Sequence, residues 1–340
     1  PEMSVLDLLH DDERDKLQGG GPGFAPLMLA TLTHEAFADA DWVFERKLDG
    51  ERCLAVGAGG EVTLYSRNEH SLNHAYPELV RALERHGPED FVADGEVVAF
   101  QDGVTSFQAL QPRMQVDAPE QARKTGVRVF YYLFDLRQLD HAWLEALPLT
   151  RRKTLLKRAF VFKDPLRYTT HRTTDGPALL EDACERGWEG LIAKDRRAAY
   201  ARSRSRSWLK LKCAARQEFV IGGYTEPKGS RTGFGALLLG YRDAGELVYA
   251  GRVGTGFDET ALRDLARKLR DMKRRFSPFA GDVPDSAGVH WVRPELVCEV
   301  AFTEWTDAGR LRHPRFLGLR RDKDPEAVVR EDESRGPDVG

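Results

Sequence analysis

Cysteine is scarce in this chain: Cys53, Cys184, Cys213 and Cys298 are the only four in 340 residues, and no CxxC pair occurs. That spacing excludes a disulfide-rich scaffold and a cysteine-based zinc site, and it predicts thiols kept in a reducing cytoplasm. Long apolar runs are missing too. Nothing approaches the roughly 20 apolar residues that span a bilayer, and the opening PEMSVLDLLHDDERDKL lacks the basic-then-apolar layout of a secretory signal. The expectation is a cytoplasmic protein with no membrane contact. Neither sign of charge dominates: 51 Lys plus Arg against 54 Asp plus Glu leave −3. A uniformly basic coat is excluded, but a local basic face is not. What remains is globular material, 41% hydrophobic and 31% charged, long enough for two domains that each bury a core.

Residues 4–17 carry Val5, Leu6, Leu8 and Leu9, with Ser4 and Asp7 spaced as a capping box, which predicts a short helix. The Gly-rich stretch 19–23 reads as a flexible joint that closes an N-terminal segment, 1–23. In residues 24–213, apolar runs such as WVFERK, RCLAV, FVADGEVVAF, VRVFYYLFDL, EGLIAK and SWLKLK read as strands. Helical patterns fall near 77–85, 151–160 and 177–188. Their scatter predicts an α+β body with mainly antiparallel sheets instead of a βαβ repeat. Residues 214–330 change rhythm: EFVIGGYT, ALLLGYR, LVYAGRVG and LVCEVAFTEW surround one helix over 260–275, with Leu262, Leu265, Leu269 and Met272 at helical spacing. Strands closing around one helix suggest an OB-type β-barrel. The tail from Asp324 is acidic and expected to fray, with 331–340 flexible.

The most informative peptide is Glu45-Arg-Lys-Leu-Asp-Gly-Glu-Arg52, where Lys47 ends a strand just before an Asp-Gly turn. A lysine there can point into a cleft while its backbone stays rigid. After it come, in order, Ser66-Arg67-Asn68, Asp94-Gly95-Glu96, Phe134-Asp135-Leu136, Glu189-Gly-Leu-Ile-Ala-Lys194 and Trp208-Leu-Lys-Leu-Lys212. Alternation in the last motif sets Lys210 and Lys212 on one face and Leu209 and Leu211 on the other. A nucleophilic lysine must lose its proton near pH 7 although its free pKa is about 10.4. Neighbouring cations such as Lys210, Lys212 and a divalent metal lower that value. Glu96, inside an apolar strand, is costly to bury without a partner, whether a ribose hydroxyl, a metal or an arginine.

This series resembles the covalent nucleotidyltransferases, and most closely the ATP-dependent DNA ligases, from about Phe24 to Lys323. The stretch from Glu304-Trp305-Thr306 to His313-Pro314-Arg315-Phe316 is similar to the ligase module of bacterial DNA ligase D and its stand-alone relatives. The resemblance implies a nucleotidyltransferase (adenylation) domain followed by an OB-fold domain, and a lysyl-AMP formed on Lys47 from ATP with Mg2+ or Mn2+. It implies that Glu45 meets the adenine edge, that Arg52 and Arg67 hold the ribose and phosphate side, and that Phe134 stacks on adenine. It further implies that Glu96 contacts ribose or metal and Glu189 binds metal. Arg204 would contact ATP alongside Lys210 and Lys212, and Arg320, Asp322 and Lys323 would orient the pyrophosphate leaving group. One departure is local: relatives often carry a glycine in the turn where Ala201 stands.

From Lys194 to Arg216 nine positive side chains face a single acid, Asp195. The alternation of Arg202, Arg204 and Arg206 predicts guanidiniums aligned along a phosphate backbone, with Arg202 and Arg206 on DNA. The run Arg267 to Arg275 on the second-domain helix is a second candidate for backbone contact. Nothing in the sequence reads bases, so the expected partner is nicked duplex DNA of any sequence. The resemblance also allows a Ku-type end-binding partner and implies a bacterial, nucleoid-associated protein; the short N-terminal segment implies a minimal two-domain enzyme, expected to act as a monomer. Two alternatives share the pattern: an RNA ligase or capping-type enzyme with the same lysine chemistry, and a non-catalytic nucleic-acid-binding protein on the same fold.

Overall fold

The computed structural model describes residues 5–173, 175–227 and 232–331. It divides between Cys213 and Ala214 into two compact units.

The first unit is built on two sheets. The larger runs in the order Gln18–Gly19, Ala142–Trp143, Val129–Leu139, Phe91–Gln101, Glu51–Ala58, Glu61–Tyr65, and every neighbour on that path is antiparallel. Leu166–Tyr168 joins Val129–Leu139 in parallel. Alternation explains why this sheet is buried on both faces. Cys53 and Ala55 pack into the main core beside Leu79 and Leu83 of the helix Pro77–His86 and Leu155 and Leu156 of the helix Leu149–Ala159. Their strand neighbours Leu54 and Val56 lie in a separate cluster with Leu27 and Val92. The smaller sheet runs His171–Arg172, Trp42–Arg46, Gly190–Asp195, Arg204–Lys212, Leu29–Leu32. One of its faces, Trp42, Phe44, Leu191, Ala193, Leu209 and Leu211, is closed by the helix Gly176–Glu185.

The second unit is a six-stranded antiparallel sheet in the order Glu246–Val253, Leu237–Asp243, Ala215–Thr225, Val297–Phe302, Arg315–Leu319, with Val289–Trp291 also on Ala215–Thr225. The helix Glu259–Asp271, capped by Asp258 accepting from the Ala261 amide, turns Leu262, Leu265 and Leu269 into the same core as Phe219, Ile221 and Val300. No helix among the described residues is long and apolar enough to cross a membrane.

Several expectations are corrected. The N-terminal helix is two short pieces, a 3₁₀ turn Val5–Leu8 and a four-residue helix Asp11–Arg14, and Ser4 lies outside the described residues. The glycine-rich joint is not free: the Gly20 amide donates to the His141 carbonyl, and Gln18–Gly19 adds an edge strand to the larger sheet. Cys184 and Cys213 are disulfide-bonded, their Cα atoms 5.3 Å apart, while Cys53 and Cys298 are free and buried. The pairing was illegible because 29 residues separate the two cysteines and only the fold brings them together. Residues 324–331 are packed instead of frayed: Asp324 caps Pro325–Ala327, and Val328 is buried, its carbonyl accepting from the Arg242 amide. The rest of the expected flexible tail, 332–340, lies outside the described residues.

Candidate active site

The site is assembled on the open face of the smaller sheet. Pairing register aligns His171, Glu45, Ile192 and Lys210 in one row across four strands. A neighbouring row holds Val43, Lys194 and Trp208. Gly190 and Lys212 are paired in a third, and there the Lys47 amide donates to the Gly190 carbonyl at 2.9 Å. The two lysines of LKLK therefore share a face, and both leucines are in the core beneath it. Two glycines make the close approaches possible. A Cβ on Gly190, at φ 147°, would sit 1.9 Å from the Leu211 carbonyl oxygen, and one on Gly50, in the turn after Lys47, would sit 2.1 Å from that of Val97.

Lys47 directly follows the strand Trp42–Arg46, and its Nζ lies 2.6 Å from Glu189 Oε1. Glu189 stands just before Gly190–Asp195, and its carbonyl accepts from the Cys213 amide. The disulfide therefore sits directly beside the backbone that presents this carboxylate.

Glu45 is fully buried between two lysines, Lys153 and Lys194, with 2.6 Å to the Lys194 Nζ. Burial alone would raise its pKa, but the two cations hold it below the ordinary carboxylate value. Burial likewise lowers Lys194, opposed by Glu45. The Lys194 ammonium lies 4.3 Å from the Phe134 ring centroid and 4.1 Å from that of Trp208, which meet edge to face. A cavity of about 530 Å³ opens beside Lys153, lined also by Thr150, Thr154, Lys157, Tyr168 and His171. His171 Nδ1 and Trp208 Nε1 are buried with no hydrogen-bond partner in the protein, groups that a polar ligand can satisfy.

Arg52, from the larger sheet, makes a two-pronged pair with Asp94 at 2.6 Å on each arm and lies 4.7 Å above the Phe134 ring. Asp94 is completely buried and also accepts from the Tyr200 hydroxyl at 2.6 Å, while that hydroxyl accepts from the Met28 amide. A carboxylate inside FVADGEVVAF needs a partner, and that requirement falls most directly on Asp94. Glu96 is only half-buried, opposite Arg52 in register, and its charge raises the Arg52 pKa together with the larger contribution of Asp94. Arg67 lies in a tight turn that Ser66 closes, with the Ser66 amide on the His70 carbonyl and the His70 amide on Ser66 Oγ.

The basic run is less uniform than its alternation predicts. Arg202 precedes the strand Arg204–Lys212, pairs with Glu145 at 2.9 Å and stacks on Trp143. Arg204 donates to the Ala30 carbonyl. Arg206 is exposed on the strand itself. In the second unit, Arg320 is held by Asp322 through two hydrogen bonds of 2.8 and 2.9 Å and by Glu299 at 2.9 Å. Lys323 pairs with Glu218 at 3.0 Å.

Sequence reasoning missed Lys153, Tyr200 and, as site residues, Asp94, Lys194 and Trp208. Asp94 carried the same signal as Glu96, an acid in an apolar strand. Lys153 carried none, because it looks like one more cation on a basic helix. Among the described residues no group of three or more His, Cys, Asp or Glu side chains converges to hold a metal. The carboxylates of Glu189 and Glu96 are oxygen donors of the kind a hard divalent cation takes.

The family models described as ATP dependent DNA ligase domain and ATP dependent DNA ligase C terminal region match residues 27–212 and 230–323. The multifunctional non-homologous end joining protein LigD of Pseudomonas aeruginosa is 40% identical over 299 residues, 86% of this chain and 35% of that protein. The multifunctional non-homologous end joining DNA repair protein LigD of Mycobacterium tuberculosis is 38% identical over 314 residues, 90% of this chain and 40% of that protein. The solved structure of mycobacterial DNA ligase D complexed with ATP and MES is 36% identical, with a TM-score of 0.64 over 90% of this chain and 98% of that one. The chain spans well under half the length of these two LigD proteins.

Proposed function

The chain belongs to the ATP-dependent DNA ligases, and from that premise we propose that it seals 5′-phosphate/3′-hydroxyl nicks in duplex DNA with Lys47 as nucleophile. The observation that carries this reading is Lys47 itself, just past a strand end with Glu189 at 2.6 Å, its amide bonded to Gly190, the residue paired with Lys212. The Lys47 amine attacks the α-phosphate of ATP. A P–N bond forms, the bond to the β-phosphate oxygen breaks, and pyrophosphate leaves. The adenylyl group then passes to the 5′-phosphate of the nick, and the 3′-hydroxyl displaces AMP as the strand is closed.

Glu189 holds the Lys47 side chain in place before attack. Glu189 and Glu96 are the carboxylates that would hold a divalent ion, Mg2+ or Mn2+. Such an ion, when bound, would neutralise phosphate charge. Lys210 and Lys212 offset charge on the phosphates, Arg204 contributes on the same side, and Arg52 and Arg67 hold the ribose and phosphate end. Phe134 supplies the surface against which adenine stacks, and Glu45 accepts from the purine edge. Asp94, clamped by Tyr200, keeps Arg52 in position for this work. Arg202 and Arg206 meet the DNA backbone.

We further place the activity in double-strand-break repair, with a Ku-type end-binding partner, because the similar LigD proteins are named for non-homologous end joining. The monomer is taken as the working unit. The experiment that tests the catalytic reading is mass spectrometry of Lys47→Ala after incubation with ATP and metal. The covalent AMP adduct is expected to be absent, while a nick already adenylated at its 5′ end is still sealed at a reduced rate. Adduct persisting in the variant would move the nucleophile elsewhere.

A further inference from the structure

The most exposed large hydrophobic side chain among the described residues is Phe276, at 66%. It ends a run, Arg267-Lys-Leu-Arg-Asp-Met-Lys-Arg-Arg-Phe276, in which six positive side chains face the single carboxylate of Asp271. Buried Leu269 and Met272 fasten the run to the barrel core, and Arg267, Arg270, Lys273, Arg274 and Arg275 are exposed. Asp264, one turn earlier on the helix, lies 3.4 Å from Arg267 in a solvent-exposed pair that contributes little. A cationic surface is well solvated and a single exposed aromatic is ordinary, but cations and an exposed ring side by side are the combination that binds a polyanion with stacking bases.

Phe276 is also held ready. The Arg275 guanidinium lies 5.2 Å from its ring centroid. On the far side of the residue, Ser277 Oγ accepts from the Phe279 amide, and Phe279 is buried in the core with Tyr249 and Val297. Upstream, the Arg274 amide donates to the Trp291 carbonyl and the Arg293 amide to that of Met272. The backbone on both sides of the ring is therefore pinned, and little ordering entropy is lost when a flat ligand stacks on it.

We propose that Arg270, Lys273, Arg274 and Phe276 form an accessory site for unpaired DNA, in which the cations track phosphates and a base stacks on the Phe276 ring. Charge complementarity selects a polyanion, and the exposed ring selects one with an accessible π face, which single strands offer and an intact duplex does not. The site lies wholly on the second unit and uses none of the adenylation residues. It rests on the DNA-ligase reading and deepens it by adding a place where a frayed or single-stranded stretch is held.

The test is fluorescence anisotropy of the full chain with a labelled oligothymidine and with a blunt duplex, each titrated at several salt concentrations. Phe276→Ala should weaken oligothymidine binding roughly tenfold, leave its salt slope unchanged and leave duplex binding unchanged, whereas Phe276→Trp should bind as wild type. Arg270→Ala combined with Arg274→Ala should flatten the single-strand slope by about 1.4 units, about 0.7 for each phosphate no longer neutralised. Wild-type affinity of Phe276→Ala for the oligonucleotide would overturn the proposal. Equal losses on duplex and single strand would also overturn it in favour of a duplex backbone surface. A glutamate-rich peptide that binds the patch where oligothymidine does not would make it a protein-docking surface instead. Self-adenylation with ATP, measured on the same samples, reports on the Lys47 chemistry, and the unfolding transition of the second unit reports on folding, so failure of that chemistry is distinguishable from failure of this site.

Discussion

At the scale of single residues, the group that decides most is Glu45, because its burial is complete and its partners are two lysines that are themselves buried. Removing the carboxylate leaves Lys153 and Lys194 facing each other without compensation. Glu45→Ala should therefore destabilise the first unit by about 3 kcal/mol, in the range expected when one member of a buried ion pair is lost. Chemical denaturation of the variant measures this, and a change below about 1 kcal/mol would show that the lysines find other partners. The pH dependence has a definite sign. A carboxylate whose folded-state pKa is depressed contributes its stability above its unfolded value, about 4.3, and loses it as pH falls through the folded value. Wild type should accordingly lose stability more steeply than Glu45→Ala on acidification below about pH 4.3. Curves that stay parallel through that range would assign the acid sensitivity to other carboxylates.

At the scale of elements, the strand Arg204–Lys212 and the disulfide at its end make the next two tests. Cys184 to Cys213 closes a loop of 29 residues that contains Glu189, Lys194 and Lys210. Cross-linking a loop of that length stabilises by about 3.5 kcal/mol in the chain-entropy treatment. Reductant should lower the denaturation midpoint of wild type and leave Cys184→Ser with Cys213→Ser unaffected, and equal midpoints with and without reductant would mean that the bridge does not form in solution. Along the strand, Arg206→Ala should flatten the salt dependence of nicked-duplex binding by about one unit. Arg202→Ala should flatten it too, by no more than about one unit, its guanidinium meeting Glu145 and Trp143. Slopes indistinguishable from wild type in both variants would return the run to an ordinary solvated face.

The same strand shows what could be read from sequence and what could not. Period-two alternation gave the correct partition of LKLK between site face and core, because a one-residue slip would bury two lysines. The helices Phe107–Met114 and Pro119–Lys124 were not foreseen, since Pro112 sits inside the first and the second is a single polar turn or so. Leu29–Leu32 was missed for a different reason: it pairs in parallel with the distant strand Arg204–Lys212, and no local pattern encodes that. Arg202 pairs with Glu145, 57 residues away in sequence, a contact that alternation does not encode. Motif order carried the family resemblance, and long-range pairing set the surroundings of each cation.

At the scale of the whole molecule, the two units have separate cores, so a change in one can be separated from a change in the other. That matters for Arg320, Asp322 and Lys323, which the resemblance assigns to pyrophosphate departure although they lie on the second unit. Their surroundings are unequal. Arg320 is almost fully buried, with its charge saturated by Asp322 and Glu299, and Asp322 is held below the usual carboxylate range, burial opposing and Arg320 prevailing. Lys323 pairs with Glu218, a partner of comparable exposure. Arg320→Ala should thus destabilise the second unit by about 3 kcal/mol, visible as a shift of its own unfolding transition. Lys323→Ala should change stability by less than about 1 kcal/mol. If a positive charge from this cluster serves the leaving group, Lys323 is the side chain able to supply it. In-line attack by Lys47 gains from such charge only while pyrophosphate is departing, since nothing is left for it to stabilise once the adduct has formed. Lys323→Ala is therefore expected to slow self-adenylation more than tenfold yet seal a pre-adenylated nick within a few-fold of wild type. Rapid-quench measurement of each step decides it: equal losses in both, with the second unit folded, would assign Lys323 to DNA binding, and no loss in either would leave it a structural partner of Glu218.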